Sequence, residues 1–244
     1  MLSLPIVQLI TLNQTPEREA IATKQLVKIG LPYQVNRFDK NPVGWKGCMD
    51  SHLQVYGRNK DKEIIFVCED NILTAEQDLS KQDLSKFANL VRFTERCPDW
   101  GIVFVGGYIS KPWEECKITD YPQVYRTKGN HGTVCYLIHS RLFTELIRLH
   151  ESGLIDKPID CFLFQYTTNY IYNPFLFYHS HTINSNISPW LDPFRRLWFH
   201  PKMMKVHCLM FFNKTWLYLI LLLILVCVWG LWRATRRSTP GTDT

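Results

Sequence analysis

Three neighbouring residues, Glu69-Asp70-Asn71, place two carboxylates and an amide oxygen directly after the apolar run Glu63 to Cys68 (EIIFVC). Oxygen donors of this kind suit a hard divalent cation such as Mg²⁺ or Mn²⁺, which can in turn hold a diphosphate; the same triplet also serves as a solvated acidic turn. Upstream lies Gly44-Trp45-Lys46-Gly47-Cys48-Met49-Asp50-Ser51-His52. Its two glycines let a backbone approach a ligand closely, and Ser51 and His52 set polar heads near a helix start. Equally, His52 reads as a hydrogen-bonded core histidine. His179 and His181 are two apart, on one face of an extended segment. They either add a ligand or pack as rings with polar tips.

Positioning these groups requires alternating strands and helices. Leu4 to Leu12 (LPIVQLITL) is rich in β-branched and apolar residues and reads as a strand; Thr15 is a candidate N-cap and Pro16 a first helical residue. Apolar Ala20, Ile21, Leu26, Val27 and Ile29 recur near helical spacing, and Gly30 followed by Pro32 closes that helix. Tyr33 to Phe38 reads as a second strand, Lys46 to Tyr56 as a second helix and Glu63 to Cys68 as a central third strand. Leu84 to Cys97 is helical in pattern, and Gly101 to Val105 is another buried strand. This alternation predicts an α/β fold with a mostly parallel sheet flanked by helices, and ligands of such sheets sit at the carboxyl ends of strands, where Glu69-Asp70-Asn71 stands. Tyr166 to Phe212 is aromatic and proline-containing without a clear period, so irregular structure is expected there.

The chain of 244 residues is 46% apolar and 20% charged, which excludes a disordered protein. Its 28 Lys and Arg outnumber 22 Asp and Glu, but they are scattered rather than striped, and no nucleic-acid partner is expected. Eight cysteines include no CxxC pair and no finger spacing, so the thiols read as free. From Trp216 to Trp232 run 17 residues, WLYLILLLILVCVWGLW, without a charge. They span about 26 Å as a helix, with tryptophans at both ends, and read as a short transmembrane helix followed by a basic tail carrying Arg233, Arg236 and Arg237. The expected organisation is therefore a core over 1–165, an aromatic juxtamembrane part over 166–213, a membrane helix over 214–232 and a tail over 233–244. A short span suits a thin membrane, endoplasmic reticulum-like or viral, and the lack of a signal peptide favours a domain facing the cytosol.

Taken in order, these segments resemble glycosyltransferase family 25, the lipooligosaccharide and procollagen galactosyltransferases. Leu12-Asn13-Gln14-Thr15-Pro16-Glu17-Arg18 looks like the family's opening asparagine-leucine-aspartate segment leading to an arginine, and Gly47-Cys48 with Ser51-His52 matches its G-C-x-x-S-H. Glu69-Asp70-Asn71 stands where the family has E-D-D. Gly132 to Ile138, Lys157-Pro158-Ile159-Asp160, and Pro174-Phe175-Leu176 through Ser185-Asn186-Ile187 resemble its later elements. The resemblance implies a GT-A-like fold and transfer of a hexose, galactose among the candidates, from a nucleotide-diphosphate sugar such as a UDP-hexose to a hydroxyl of a glycan or protein. It assigns Glu69 and Asn71 to an Mn²⁺ or Mg²⁺ ion, Asp70 to the reaction beside them, and Arg18, Gly47, Ser51 and His52 to the donor. Asp160 becomes an acceptor-side base or an organiser of the donor; a helix N-cap or a salt-bridge partner is its plain structural role.

Two departures bear on activity. Asn71 and Asn186 are amides where the family carries carboxylates. An amide oxygen ligates a hard cation but attracts it less. The expected function is a membrane-anchored hexosyltransferase; the alternative is an inactive protein of that fold, acting as a membrane-tethered binding or structural protein.

Overall fold

The apolar run near the start forms β1 (Val7–Leu12), and Pro16, whose missing N–H costs nothing in a first turn, opens α1 (Pro16–Ile29). Gly30 ends that helix at φ 74°, in the left-handed region that a residue without Cβ enters freely. Then β2 (Tyr33–Phe38) pairs parallel with β1, from Val7↔Tyr33 to Leu12↔Phe38; α2 (Gly44–Arg58) crosses back, and β3 (Ile64–Glu69) lies parallel on the other side of β1. This computed structural model describes residues 5–74, 87–107, 117–127, 132–166, 168–173, 175–180, 221–227 and 229.

After these strands follow β4 (Ile72–Thr74), α3 (Ala88–Arg96), β5 (Ile102–Gly107), β6 (Lys117–Ile118), β7 (Val124–Thr127), β8 (Cys135–His139), α4 (Ser140–Glu151), α5 (Ile159–Tyr166), β9 (Asn169–Tyr172) and β10 (Phe177–His179). The sheet runs β2-β1-β3-β8-β5-β9-β7-β6, with β10 beside β5 and β4. It is mixed, which corrects the expectation of a mostly parallel sheet: β8 lies antiparallel to both β3 and β5. The reason lies in burial. Cys135 to Ile138 are buried on both faces of the sheet, so an internal antiparallel strand shows the same unbroken apolar run as a parallel one.

Strand alternation sends side chains to two cores. Ile10, Ile65, Val67, Phe104 and Tyr136 pack with Leu53 and Tyr56 of α2, Phe143 of α4 and Phe162 of α5. On the opposite face Leu9, Phe66, Val103 and Leu137 pack with Leu26 of α1 and Phe93 of α3. The result is a three-layer α/β/α arrangement, with the carboxyl ends of β1 and β3 at one edge.

The stretch from Tyr166 onward is more regular than expected, since β9 and β10 fall within it. Gly106 makes β10 possible: a Cβ there would meet Phe177 Cβ at 2.7 Å and Cys135 Cβ at 2.9 Å. Of the span expected over 214–232, residues 221–227 are helical and exposed. Among the described residues no helix is long and apolar enough to cross a membrane, so the transmembrane part of the expected fold finds no support there. Most of 214–232, the tail 233–244, His181 and Asn186 lie outside the described residues.

Candidate functional site

The acidic triplet leaves β3 at its carboxyl end, and β1, α2, α5 and β10 close on it. A pocket of about 230 Å³ opens there, walled by the end of β1, the start of α2, the triplet, Thr133 before β8, Asp160 at the start of α5, and His179 of β10. On α2 the lining residues are Gly44, Trp45, Gly47, Cys48, Ser51 and His52, spaced as one helical face.

Glu69 carries hydrogen bonds on both oxygens. Oε1 accepts from Thr133 Oγ1 at 2.6 Å and faces His52 Nε2 at 3.3 Å; Oε2 accepts from Asn71 Nδ2 at 3.2 Å. Burial pushes its pKa up, but the bond and charge of His52, the Thr133 hydroxyl and His179 outweigh that and hold it at about 2. It is a permanent anion at neutral pH. Behind it runs a buried relay: His52 Nδ1 meets Tyr136 OH at 2.6 Å, and Tyr136 OH bonds Tyr56 OH.

Asn71 bridges Glu69 and His179. Its Nδ2 also faces His179 Nε2 at 3.2 Å, while His179 Nδ1 donates to the Ser180 carbonyl at 2.9 Å. That fixes the tautomer, leaving the Nε2 lone pair toward Asn71. The amide cannot be turned round, because Oδ1 would then oppose the Glu69 carboxylate. Thus Asn71 Oδ1 stays buried without a hydrogen-bond partner among the described residues. Antiparallel pairing of β10 with β4, register His179↔Ile72, brings this histidine to the triplet.

Asp70 points the other way. Its carboxylate pairs with Arg18 and accepts from Thr11 Oγ1 at 2.9 Å, and both members of the ion pair are buried. Burial raises the Asp70 pKa more than Arg18 and Thr11 lower it. Arg18 Nε and Nη1 are buried and lack a hydrogen-bond partner among the described residues. Thr15 directs its hydroxyl at Leu12 O and Asp70, not at a helix N–H, so it does not cap α1 through its side chain.

The other expected residues fall at the pocket with different tasks. Ser51 Oγ is engaged by the Gly47 carbonyl at 2.7 Å. Gly47 allows close packing: a Cβ there would lie 2.6 Å from Asn41 Cβ, in the segment between β2 and α2 that lines the same pocket. Asp160 Oδ1 accepts from Cys161 N at 2.8 Å. Burial, then the charges of Glu69 and Asp160, push the Cys48 thiol up. Sequence reasoning assigned no task to Thr133, Tyr136, Tyr56 or Trp45. The helical spacing of residues 44, 45, 48 and 52 was the available signal for Trp45 and Cys48; nothing local marks Thr133 or the tyrosines, which arrive from β8 and from the core side of α2.

No family model matches this chain, and no curated protein matches it in sequence. Solved structures similar to it include A197 from STIV, at 16% identity over 72% of this chain and 85% of that one, TM-score 0.40. A glycosyltransferase involved in glycosylation of the major capsid of PBCV-1 is 10% identical over 82% of this chain and 100% of that one, TM-score 0.45. The glycosyltransferase GlyE of Streptococcus pneumoniae TIGR4 is 12% identical over 87% of this chain and 64% of that one, TM-score 0.41. At likenesses this slight, function is argued from the site.

Proposed function

We propose that this protein is a membrane-anchored glycosyltransferase that moves a hexose from a UDP-hexose to a hydroxyl of a glycan or protein. The observation that carries the reading is the polar cluster at the end of β3: the ionised Glu69, Asn71 bonded to it, and His179 bonded in turn to Asn71, all lining one pocket. Carboxylate and amide oxygens suit Mn²⁺ or Mg²⁺; an ion beside Glu69 would remove the repulsion that keeps the Asn71 oxygen turned away, so that Glu69 and Asn71 would hold it, with His179 at the same pocket. When bound, such an ion neutralises charge on a departing diphosphate.

The chain's own groups divide the remaining work. Arg18 lines the pocket and brings positive charge to the diphosphate side, and Asp70 holds its guanidinium in place, acting as a positioning group rather than on the sugar. Trp45, beside Gly44 and Gly47, adds an aromatic side chain to the pocket wall for a base or sugar. Asp160 takes the proton of the acceptor hydroxyl. The apolar run over 216–232 tethers this domain to a bilayer, facing the cytosol.

Calorimetry on the full chain in detergent tests the reading, with UDP added in the presence and absence of Mn²⁺. Metal-dependent binding, lost in Glu69→Ala, is the expected result, followed by UDP release from UDP-galactose. The amides at Asn71 and Asn186 favour a second reading, an inactive tethered binding protein. UDP binding without release of UDP from any sugar donor selects it, and absence of UDP binding with or without Mn²⁺ overturns the transferase.

A further inference from the structure

The Glu69 carboxylate has two differently furnished sides. Oε2 meets Asn71, whereas Oε1 meets Thr133 and His52, and Thr133 also bonds the Cys48 thiol. One ligand atom each from Cys48, His52 and Glu69 lies within 4.8 Å of the other two. A hard cation has no use for the sulfur, but a soft one selects it. We propose that Cys48, His52 and Glu69 form a second metal site, which takes Zn²⁺ or a similar thiophilic ion and leaves a fourth position open to the pocket.

Three features of the fold support it. Cys48 and His52 are four residues apart on α2 and so share a face, and Glu69 meets them from β3. Around a tetrahedral zinc, with Zn–S about 2.3 Å and Zn–N about 2.0 Å, ligand atoms sit roughly 3.3–3.6 Å apart. Side-chain rotations of about an ångström therefore close the set. All three residues line the pocket, so an ion has a path in although His52 is fully buried.

The surroundings provide an outer shell as well. Thr133 orients Glu69, and Tyr136 OH lies 2.6 Å from His52 Nδ1. Without metal, His52 Nε2–H donates to Glu69 and Nδ1 accepts from Tyr136. With metal, Nε2 gives its lone pair to the ion, Nδ1–H donates to the Tyr136 oxygen, and the Tyr136 proton turns to Tyr56. Either hydroxyl of that pair can donate, so the relay supports both tautomers. Coordination breaks the Cys48 S–H bond and releases one proton to solvent, with no change of oxidation state. Because both sites draw on one carboxylate, Zn²⁺ on the Oε1 side opposes Mn²⁺ on the other.

The test uses the full reduced chain in detergent, freed of metal and titrated with Co²⁺ alone. Without nucleotide, its outcome is separate from that of the UDP experiment. One Co²⁺ per chain, a thiolate-to-cobalt charge-transfer band and the visible absorption of a tetrahedral site are expected, all abolished by stoichiometric Zn²⁺. The band is lost in Cys48→Ser and kept in His179→Ala. In the unaltered protein, Zn²⁺ also shields Cys48 from alkylation, read by peptide mass spectrometry, which repeats the test without a variant. A missing band, a band of full intensity in Cys48→Ser, or alkylation of Cys48 unchanged by Zn²⁺ overturns the proposal.

Discussion

Replacing Asn71 with aspartate turns Glu69-Asp70-Asn71 into E-D-D and sets a second carboxylate against Glu69. In the structure the Asn71 amide nitrogen donates to Glu69 Oε2 at 3.2 Å. A carboxylate oxygen at that separation repels Glu69 by about 5 kcal/mol at an effective dielectric of about 20. The pair can relieve this by retaining one proton, which for a group of ordinary pKa about 4 costs about 4 kcal/mol at pH 7. Asn71→Asp is therefore destabilised by about 3–5 kcal/mol in chelator at pH 7. The sign with pH follows from linkage. The folded-state pKa of the new carboxyl is raised, so the penalty is absent below about pH 4, where it is protonated in both states, and grows as pH rises toward the folded value. A divalent cation reverses the effect, because it binds the folded state and gains a charged ligand. Urea unfolding with EDTA and then with Mn²⁺ measures both arms. Equal stability of Asn71→Asp and the parent in EDTA at pH 7 would refute the assignment of these two side chains to one cluster.

Other outcomes are expected from the same geometry. Glu69 is held at about 2, so its contribution to stability is complete above pH 4.5 and is lost as pH falls toward 2; the drop from 4.5 corresponds to ~3 kcal/mol. Acid unfolding of Glu69→Gln lacks that loss, and matching curves for variant and parent count against it. Arg18→Met leaves Asp70 buried and unpaired, at about 3–5 kcal/mol, and adding Asp70→Asn recovers part of it. A single variant within 1 kcal/mol of the parent by chemical denaturation rejects that account. Gly47→Ala drives a Cβ to 2.6 Å from Asn41 Cβ and costs about 1–3 kcal/mol while weakening UDP binding. Unchanged melting and calorimetry would show that the segment between β2 and α2 yields freely.

Much of the framework was legible because it rests on local rules. Pro16 and Gly30 bracket α1 at the expected places, and the unbroken apolar runs became β3 and β5. The direction of β8 was not legible, since a strand buried on both faces carries no mark of its neighbours' sense. Nor were β9 and β10, which are four and three residues long and owe their formation to pairing with distant strands.

At the site the division is similar. Residue types and spacing alone located the oxygen-rich triplet at a strand end and the polar face of α2, because backbone geometry makes neighbours of residues four apart on a helix and ends a strand where its apolar run ends. Which oxygen meets which partner was decided by tertiary structure. Asp70 turns away to Arg18 while Glu69 and Asn71 turn toward His179, 108 residues on from Asn71, and Thr133 comes from the segment leading into β8. Adjacent residues at a strand end project to opposite sides, and only the packed sheet determines what waits on each side.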